Sequence, residues 1–346
     1  MSARPLAPSV AAVALAATVA VALSPPASAT TPGNNGPLAF RRWLDADHTT
    51  SAIVAIRPDG TGERLLTHPA AGTEDTQPDW SPDGRLVAFE RCEPNTVCAI
   101  YTVHANGSHL TRLSPPCTAT PPNLETVCPD EGRVAFMPDG RHVVFTRSTG
   151  LVRQFPDGSN FIEHSDLVVR DLSGEHATVV LRSIPFSGDN SQAVASPDGR
   201  RLAFQRQNSL QGQPASATAV FVVDIDGRNL HQITPWALDA GDHPDWSPDG
   251  RWILFRSNES GGFLNSQLYV VHPDGTGLHQ VTHLSADTLL LSASFSPDGQ
   301  QIVYAQTGTG GAPDIFTMDV DGAHPRQVTR TPQWDSAPDW GPLPKH

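Results

Sequence analysis

Six aspartates recur along the chain, each ahead of one copy of a short repeated phrase. They are Asp75, Asp130, Asp189, Asp242, Asp287 and Asp335. Hard cations such as Ca²⁺ take several oxygen ligands, and ammonium or guanidinium groups also pair with carboxylates. Aspartate alternatively caps turns and solvates loop ends. We predict that Asp75, Asp242 and Asp335 are the candidate metal ligands, with Ca²⁺ as the possible ion and no other cofactor.

Histidine and tryptophan supply the other side chains that could bind a ligand. Three histidines lie between repeats: His68, His243 and His283. No H-E-x-x-H or comparable spacing accompanies them, so solvated loop residues are the simpler interpretation. Trp236 and Trp334 also fall in or near variable segments, where an indole could stack on a ligand. We predict no catalytic residue. The predicted ligand-binding set is Asp75, Asp189, Asp242, His243, Asp335, Trp236 and Trp334.

Four cysteines are present: Cys92, Cys98, Cys117 and Cys128. An even number in an exported chain indicates two disulfides. The short separations favour Cys92–Cys98 and Cys117–Cys128, although the sequence permits two other pairings. A zinc site is the alternative, but the C-x-x-C spacing typical of such sites is absent.

One repeated phrase defines the elements that must position these residues. Its copies are 79–89, 136–145, 196–204, 245–255 and 295–304, each with a Pro-Asp-Gly turn. Proline fits the second position of a tight turn, aspartate bonds back to the backbone, and glycine takes the positive φ. The flanking residues alternate and are β-branched or aromatic, which indicates strands.

A second phrase follows the first and completes each unit. It is an apolar strand pattern, an Asn-Gly or Asp-Gly turn, and a further short strand, as in Ile100–Val103 followed by Asn106-Gly107. Each unit therefore holds four antiparallel strands, the composition of one propeller blade.

The two ends of the chain share one such unit. Gly36–Phe40 begins in mid-phrase, and Ala337–Gly341 supplies the missing first strand. We predict an all-β, six-bladed β-propeller of four-stranded antiparallel blades, closed by pairing the N-terminal strands with a C-terminal inner strand. Such closure removes the open sheet edge.

The Trp-Ser-Pro-Asp-Gly and Asp-Gly phrases resemble the repeats of TolB-like, WD40-like (PD40) β-propellers over roughly residues 36–341. They are also similar to the propellers of the prolyl oligopeptidase and dipeptidyl peptidase families. We do not expect the hydrolase domain of those peptidases, because no G-x-S-x-G elbow occurs. The separate domain that precedes the propeller in TolB is not expected either.

The first residues have the features of a targeting signal. The apolar run Val10–Leu23 is too short to span a bilayer and precedes an Ala27-Ser28-Ala29 cleavage pattern. We predict a signal peptide at 1–29 and a single propeller domain at 30–346. The protein should be secreted or extracytoplasmic, periplasmic or cell-envelope associated, without a membrane span after cleavage. A formal net charge of −13 argues against nucleic-acid binding.

The loops divide between two faces of the predicted propeller. The Pro-Asp-Gly and Asp-Gly turns share one face, called the turn face below, and are nearly uniform. Variable segments, such as 91–97 and 113–132, lie on the opposite, variable-loop face. Insertions gathered on one face are typical of a binding surface. We predict a monomeric, noncatalytic module that binds an extracytoplasmic protein or glycan there.

Two alternatives to a binding module stay open from the sequence. One is a metal-dependent propeller enzyme, such as a polysaccharide lyase, lactonase or other hydrolase, with its site at the mouth of the central channel. The other is a structural propeller without a small ligand. Three or more metal-ligating side chains converging within metal distance would favour the enzyme.

Overall fold

The computed structural model describes residues 32–117, 128–151, 162–183, 189–208, 217–258, 265–285, 287–307 and 311–344. Of residues 149–151, 162–164 and Asp242, only the backbone is described. The predicted signal peptide lies outside the described residues, as do parts of the longest predicted loops.

The strands follow the sequence repeats, which we number as units 1 to 5 and a terminal unit. The first strands, in chain order, are β1 (Asn35–Trp43), β2 (Ser51–Ile56) and β3 (Arg64–Leu65) in the terminal unit; β4 (Glu74–Trp80), β5 (Leu86–Cys92), β6 (Ala99–His104) and β7 (Thr111–Arg112) in unit 1; and β8 (Asp130–Phe136), β9 (His142–Leu151), β10 (Ile162–Asp171) and β11 (Ala177–Leu181) in unit 2.

The remaining strands continue the same order. They are β12 (Asn190–Ala195), β13 (Arg201–Gln207), β14 (Thr218–Asp224) and β15 (His231–Gln232) in unit 3; β16 (Ala240–Trp246), β17 (Ile253–Ser257), β18 (Gln267–Val271) and β19 (His279–Gln280) in unit 4; β20 (Leu289–Phe295), β21 (Gln301–Thr307), β22 (Asp314–Asp319) and β23 (Arg326–Gln327) in unit 5; and β24 (Asp335–Pro342) in the terminal unit. A short 3-10 helix, Trp236–Leu238, precedes β16.

Each of units 2 to 5 is a four-stranded antiparallel sheet whose strands pair in chain order. In the terminal unit, β24 pairs antiparallel with β1, and Leu38 lies opposite Trp340. A parallel contact of Ser51 with Glu74 joins the terminal unit to unit 1. The first strand of each unit, and β24 in the terminal unit, is called the inner strand below.

The turns between first and second strands repeat one set of hydrogen bonds. In unit 1, the Gly84 N–H donates to the Ser81 carbonyl over 2.8 Å, and the Ser81 hydroxyl donates to Asp83 Oδ1 over 2.7 Å. Gly84 has φ 69°, which a residue with a Cβ rarely adopts. Ser196, Ser247 and Ser296 make the same bonds in their turns. The sequence therefore fixes this turn locally in units 1, 3, 4 and 5, and unit 2, which has Met137 in place of the serine, keeps the backbone bond from Gly140.

The hydrophobic core lies between neighbouring sheets. Phe204 of unit 3, for example, packs with Leu167 of unit 2, and Phe40 of the terminal unit packs with Val303 of unit 5. The repeated tryptophans Trp80, Trp246 and Trp340 are at most 4% exposed, so they fill space between sheets as core residues. No helix in the described part of the chain is long and apolar enough to cross a membrane.

Candidate functional site

The middle segments of all six inner strands line one small cavity, called the axial cavity below. Its volume is about 70 Å³, and its walls are 77–79, 133–135, 192–194, 243–245, 293–294 and 337–339. Each inner strand has a register shift beside this cavity. The residues with φ between 50° and 61° there are Gln77, Arg133, Gln192, His243 and Ala337. A bulge bends a strand and re-aims its side chains, which here bring the inner strands to a common centre.

Three carboxylates, Asp79, Asp245 and Asp339, lie on the wall of the axial cavity. Each accepts a hydrogen bond from the backbone N–H of an aromatic residue on the next inner strand. These bonds run from Phe136 to Asp79 (2.6 Å), from Phe295 to Asp245 (2.7 Å) and from Trp80 to Asp339 (2.8 Å). The carboxylates therefore connect neighbouring units. The sequence signal for them is the Asp-Trp dipeptide of three repeat phrases, and none of the three was among the predicted ligand residues.

Burial changes the protonation of these carboxylates. It raises the pKa of Asp79 well above the usual range, and the charges of Asp339 and Asp245 raise it further. Burial also raises the pKa of Asp339, against the opposing hydrogen bonds from Trp80 and Ser294. Three negative charges in so small a space are costly. A proton or a cation in the axial cavity would offset that cost.

Asp75 and Asp335, two of the predicted metal ligands, lie in buried ion pairs. Arg91 donates to both oxygens of Asp75, over 2.6 Å and 2.8 Å. Arg42 donates to both oxygens of Asp335, over 2.7 Å and 2.8 Å. Both aspartate side chains are 0% exposed. The two carboxylates thus each bind a guanidinium on the adjacent strand, and the structure does not bring them together.

The arginines of these pairs occupy one repeat position and stack on the preceding aromatic ring. Arg91 Cζ lies 5.6 Å from the Phe89 centroid, and Arg42 Cζ lies 5.3 Å from that of Phe40. Burial would lower the pKa of Arg91, but the hydrogen bonds and charge of Asp75 raise it above its usual value. The same position holds Arg147 with Glu131 in unit 2 and Arg206 with Asn190 in unit 3. We call this contact the arginine clip.

The other predicted aspartates occupy different registers. Asp130 and Asp189 stand one residue before the clip position of their units, so their side chains point to the opposite face of the strand. The backbone of Asp242 lies within β16, and its side chain is outside the described residues. Asp287 is exposed in a loop, where the Ser285 hydroxyl donates to it over 2.5 Å. The six aspartates therefore divide among several positions.

The predicted aromatic and histidine residues are also separated. Trp236 is half-buried against Phe221, with ring centroids 5.7 Å apart. Trp334 lies edge-on to His48, with centroids 5.3 Å apart, and His48 stacks on Trp43. His243 lines the axial cavity, where its backbone N–H donates to Gln192 Oε1.

Both local cysteine pairings are formed, Cys92–Cys98 and Cys117–Cys128, as the short separations favoured. Within the described residues, Glu90, Cys92 and Cys98 are the one group whose three ligand atoms lie close enough for a metal. Both sulfurs of that group are in the disulfide, so the oxidised protein does not offer their thiolates to a metal.

Comparisons with known proteins support the propeller resemblance. The family described as the TolB beta propeller domain (PD40) matches residues 160–342. The Tol-Pal system protein TolB of Francisella tularensis subsp. mediasiatica (strain FSC147) is 21% identical over 269 residues, which is 77% of this chain and 54% of that protein. This chain thus spans about half the length of that relative.

Solved structures show the same fold. The crystal structure of TolB from Acinetobacter baumannii has a TM-score of 0.66 at 21% identity, covering 89% of this chain and 67% of that one. An oligogalacturonate lyase in complex with manganese has a TM-score of 0.51 at 18% identity, covering 86% of this chain and 74% of that one. One fold therefore carries different activities, and a function must be argued from the residues of a site.

Proposed function

Because the chain belongs to the TolB beta-propeller domain family, we propose that it forms a closed six-bladed propeller and acts as a noncatalytic, extracytoplasmic binding module. The ring is supported by hydrophobic clusters between every pair of consecutive units, including unit 5 with the terminal unit and the terminal unit with unit 1. The pairing of β24 with β1 would close it. The two disulfides are consistent with an extracytoplasmic location.

We propose that the binding partner is a protein and that it docks on the variable-loop face. The observation that carries this proposal is a contrast between the faces. On the turn face, units 1, 3, 4 and 5 repeat the same serine–aspartate–glycine contacts, whereas both disulfides hold segments of the variable-loop face. A uniform face offers little to distinguish one partner from another. The Tol-Pal system named for the relative favours a protein over a glycan.

Capture experiments with face-specific variants test this proposal. The purified mature protein, a variable-loop-face variant (Leu44→Glu) and a turn-face variant (Leu230→Glu) would be immobilised and exposed to extracytoplasmic extract from the native host. Both leucines are exposed, at 42% and 39%, so the two substitutions are matched. A protein retained stoichiometrically by wild type and the turn-face variant, but reduced on the loop-face variant, supports the proposal. Equal retention by both variants would contradict it.

Metal analysis tests the noncatalytic part of the proposal. We expect the protein, purified without added metal, to contain no stoichiometric transition metal, because the described ligand atoms form no open three-residue site. A stoichiometric transition metal would refute a simple binding module. Melting with and without Ca²⁺ tests whether the axial cavity binds a cation, although its carboxylates Asp79, Asp245 and Asp339 were not among the predicted metal ligands. A rise in melting temperature with Ca²⁺ that is lost in Asp339→Asn would place the ion in the axial cavity. If Ca²⁺ does not raise the melting temperature, the cavity is not a Ca²⁺ site.

A further inference from the structure

A second cavity, of about 280 Å³, is lined by residues of units 1, 2 and 3 on the variable-loop face. We call it the rim crevice. Three carboxylates line it, Glu90, Asp130 and Asp189, together with the hydroxyls of Ser148, Ser165 and Ser191. Asp130 is exposed, while Glu90, Asp189 and Ser148 are half-buried, so solvent reaches the lining. The volume is sufficient for a charged side chain with its first hydration waters.

The rim crevice is not a necessary product of the repeat, because larger or apolar side chains occupy the equivalent positions in some of the other units. The position of Ser148, three residues after the repeat phenylalanine, holds Trp43 in the terminal unit and the disulfide-bonded Cys92 in unit 1. The position of Asp130, six residues before the repeat aromatic, holds Trp334 in the terminal unit and Leu289 in unit 5. An aspartate at the Asp130 position together with a polar side chain at the Ser148 position occurs in units 2 and 3, whereas unit 4 has Ala240 and Asn258 there.

Two of the carboxylates are held in place by backbone contacts. The Arg133 N–H donates to Glu90 Oε2 over 2.9 Å. Gly132 permits this contact, since a Cβ at that position would overlap the Glu90 carboxylate. The Cys98 N–H donates to Asp130 Oδ1 over 3.1 Å. The lining carboxylates are therefore positioned before any ligand arrives, which lowers the entropic cost of binding.

Both disulfides border these carboxylates. Cys92 stands two residues after Glu90, and Cys128 stands two residues before Asp130. Cross-links at these points restrict the backbone next to the crevice on two sides. Rigid support of this kind is what a recognition site needs.

The chemistry of the lining determines the class of ligand. Carboxylate and hydroxyl oxygens accept hydrogen bonds, and three acidic residues face one basic residue, Arg133, in the described lining. A guanidinium offers five N–H donors and an ammonium three, so either cation matches such a surface. No aromatic ring occurs in the described lining on which a neutral sugar would stack. We propose that the rim crevice is the subsite that takes an arginine or lysine side chain of the protein partner, an inference that rests on the proposed function.

A binding experiment with small probes tests the subsite directly. N-acetyl-arginine amide, its neutral isostere N-acetyl-citrulline amide and methyl glucoside would be titrated into the ¹⁵N-labelled mature protein and followed by NMR. We expect the arginine probe to bind at least about tenfold more tightly than the citrulline probe, as expected for a charge-assisted contact. The shifts should fall on residues around Asp130 and Asp189. Equal binding of the two probes, or tighter binding of methyl glucoside, would overturn the proposal.

Matched variants show where the probe binds. Asp130→Asn/Asp189→Asn should weaken the arginine probe about tenfold or more. Glu175→Gln/Asp226→Asn removes the same charge from exposed residues of the turn face and should leave the affinity unchanged. Ser148→Trp should abolish binding by filling the crevice, as Trp43 fills the equivalent position of the terminal unit. Unchanged melting temperatures would show that these variants fold. Equal loss in the crevice and turn-face variants would refute the subsite.

The same variants separate this inference from the proposed function. If the Leu44→Glu variant loses the captured protein while Asp130→Asn/Asp189→Asn retains it, the variable-loop face binds a partner and the rim crevice is not its cation subsite. If no variant affects capture, the proposed function itself fails. If both lose the partner and the arginine probe competes for it, both proposals stand.

Discussion

Removing one member of the Asp75–Arg91 clip should destabilise the protein far more than removing an exposed charge. The side chain of Asp75 is 0% exposed and that of Arg91 is 9% exposed, and the two hydrogen bonds measure 2.6 Å and 2.8 Å. Breaking a buried ion pair costs about 3–5 kcal/mol, because the remaining charge loses its compensation. Asp75→Asn keeps one acceptor for the arginine, as Asn190 does beside Arg206. We therefore expect this variant to lower the free energy of unfolding by about 3 kcal/mol, the lower end of that range.

A double-mutant cycle with Arg91→Met isolates the pair. Each single variant should lower the free energy of urea unfolding by about 3 kcal/mol, and the double variant should cost clearly less than their sum because no lone charge stays buried. A melting temperature lower by about 6 °C should accompany each single variant. Arg85→Met, which removes the exposed Arg85–Asp83 pair, is the control and should cost less than about 1 kcal/mol. If the loss of unfolding free energy in the double variant equals the sum of the two single losses, the reasoning is refuted. Single losses as small as that of the control variant would also refute it.

Three further outcomes follow from the same contacts. Asn190→Asp should raise the free energy of urea unfolding by about 1 kcal/mol, since burial lowers the pKa of Arg206 and the neutral Asn190 supplies no compensating charge. A lower free energy of unfolding in this variant would contradict the argument. The raised pKa values of Asp79 and Asp339 mean that the folded state retains protons that the unfolded chain releases. The contribution of these two carboxyl groups to the free energy of unfolding is therefore full below about pH 4 and falls as the pH rises. Asp339→Asn should therefore gain melting temperature relative to wild type from about pH 4 towards pH 7, and a constant difference would exclude the linkage. Gly132→Ala should displace the Glu90 carboxylate and lower the free energy of urea unfolding by about 1–2 kcal/mol. Gly311→Ala should cost less, because the nearest atom to its Cβ would be Thr307 Oγ1 at 3.2 Å.

The elements of the fold were predictable because their signals are local. The Ser-Pro-Asp-Gly turn is stabilised by contacts within five residues, as the Ser81–Asp83 and Gly84 bonds show. The two cysteine pairings close loops of 6 and 11 residues, so the nearest partners were also the correct ones. Trp80, Trp246 and Trp340 recur at one repeat position and are all buried, so the repeat itself marks them as core residues.

The candidate site was less predictable because the pairing register of the inner strands decides which side chains face the cavities. Each inner strand is bulged, and a shift of one residue turns a side chain to the other face of the strand. Asp75 and Asp130 look equivalent in sequence, yet the first is buried in a clip and the second is exposed at the rim crevice. The arginine two residues after the repeat phenylalanine, as in Phe89-x-Arg91, was the signal that could have marked Asp75 as a structural partner.

Within one unit, the buried clip residues and the residues at the rim crevice differ in how freely they can be substituted. This difference explains why residues that bind a partner would lie at the rim. In the terminal unit and in unit 1 the clip aspartates are fully buried, so breaking either pair costs about 3–5 kcal/mol. Ser148 lies within β9, and its equivalents Trp43 and Cys92 are the last residues of β1 and β5. Different units carry a serine, a tryptophan or a disulfide-bonded cysteine at this position, so the repeat does not fix its side chain. Side chains at the rim can therefore differ between units while the clips keep the sheets in register, and binding specificity can reside in units 2 and 3 without weakening the fold.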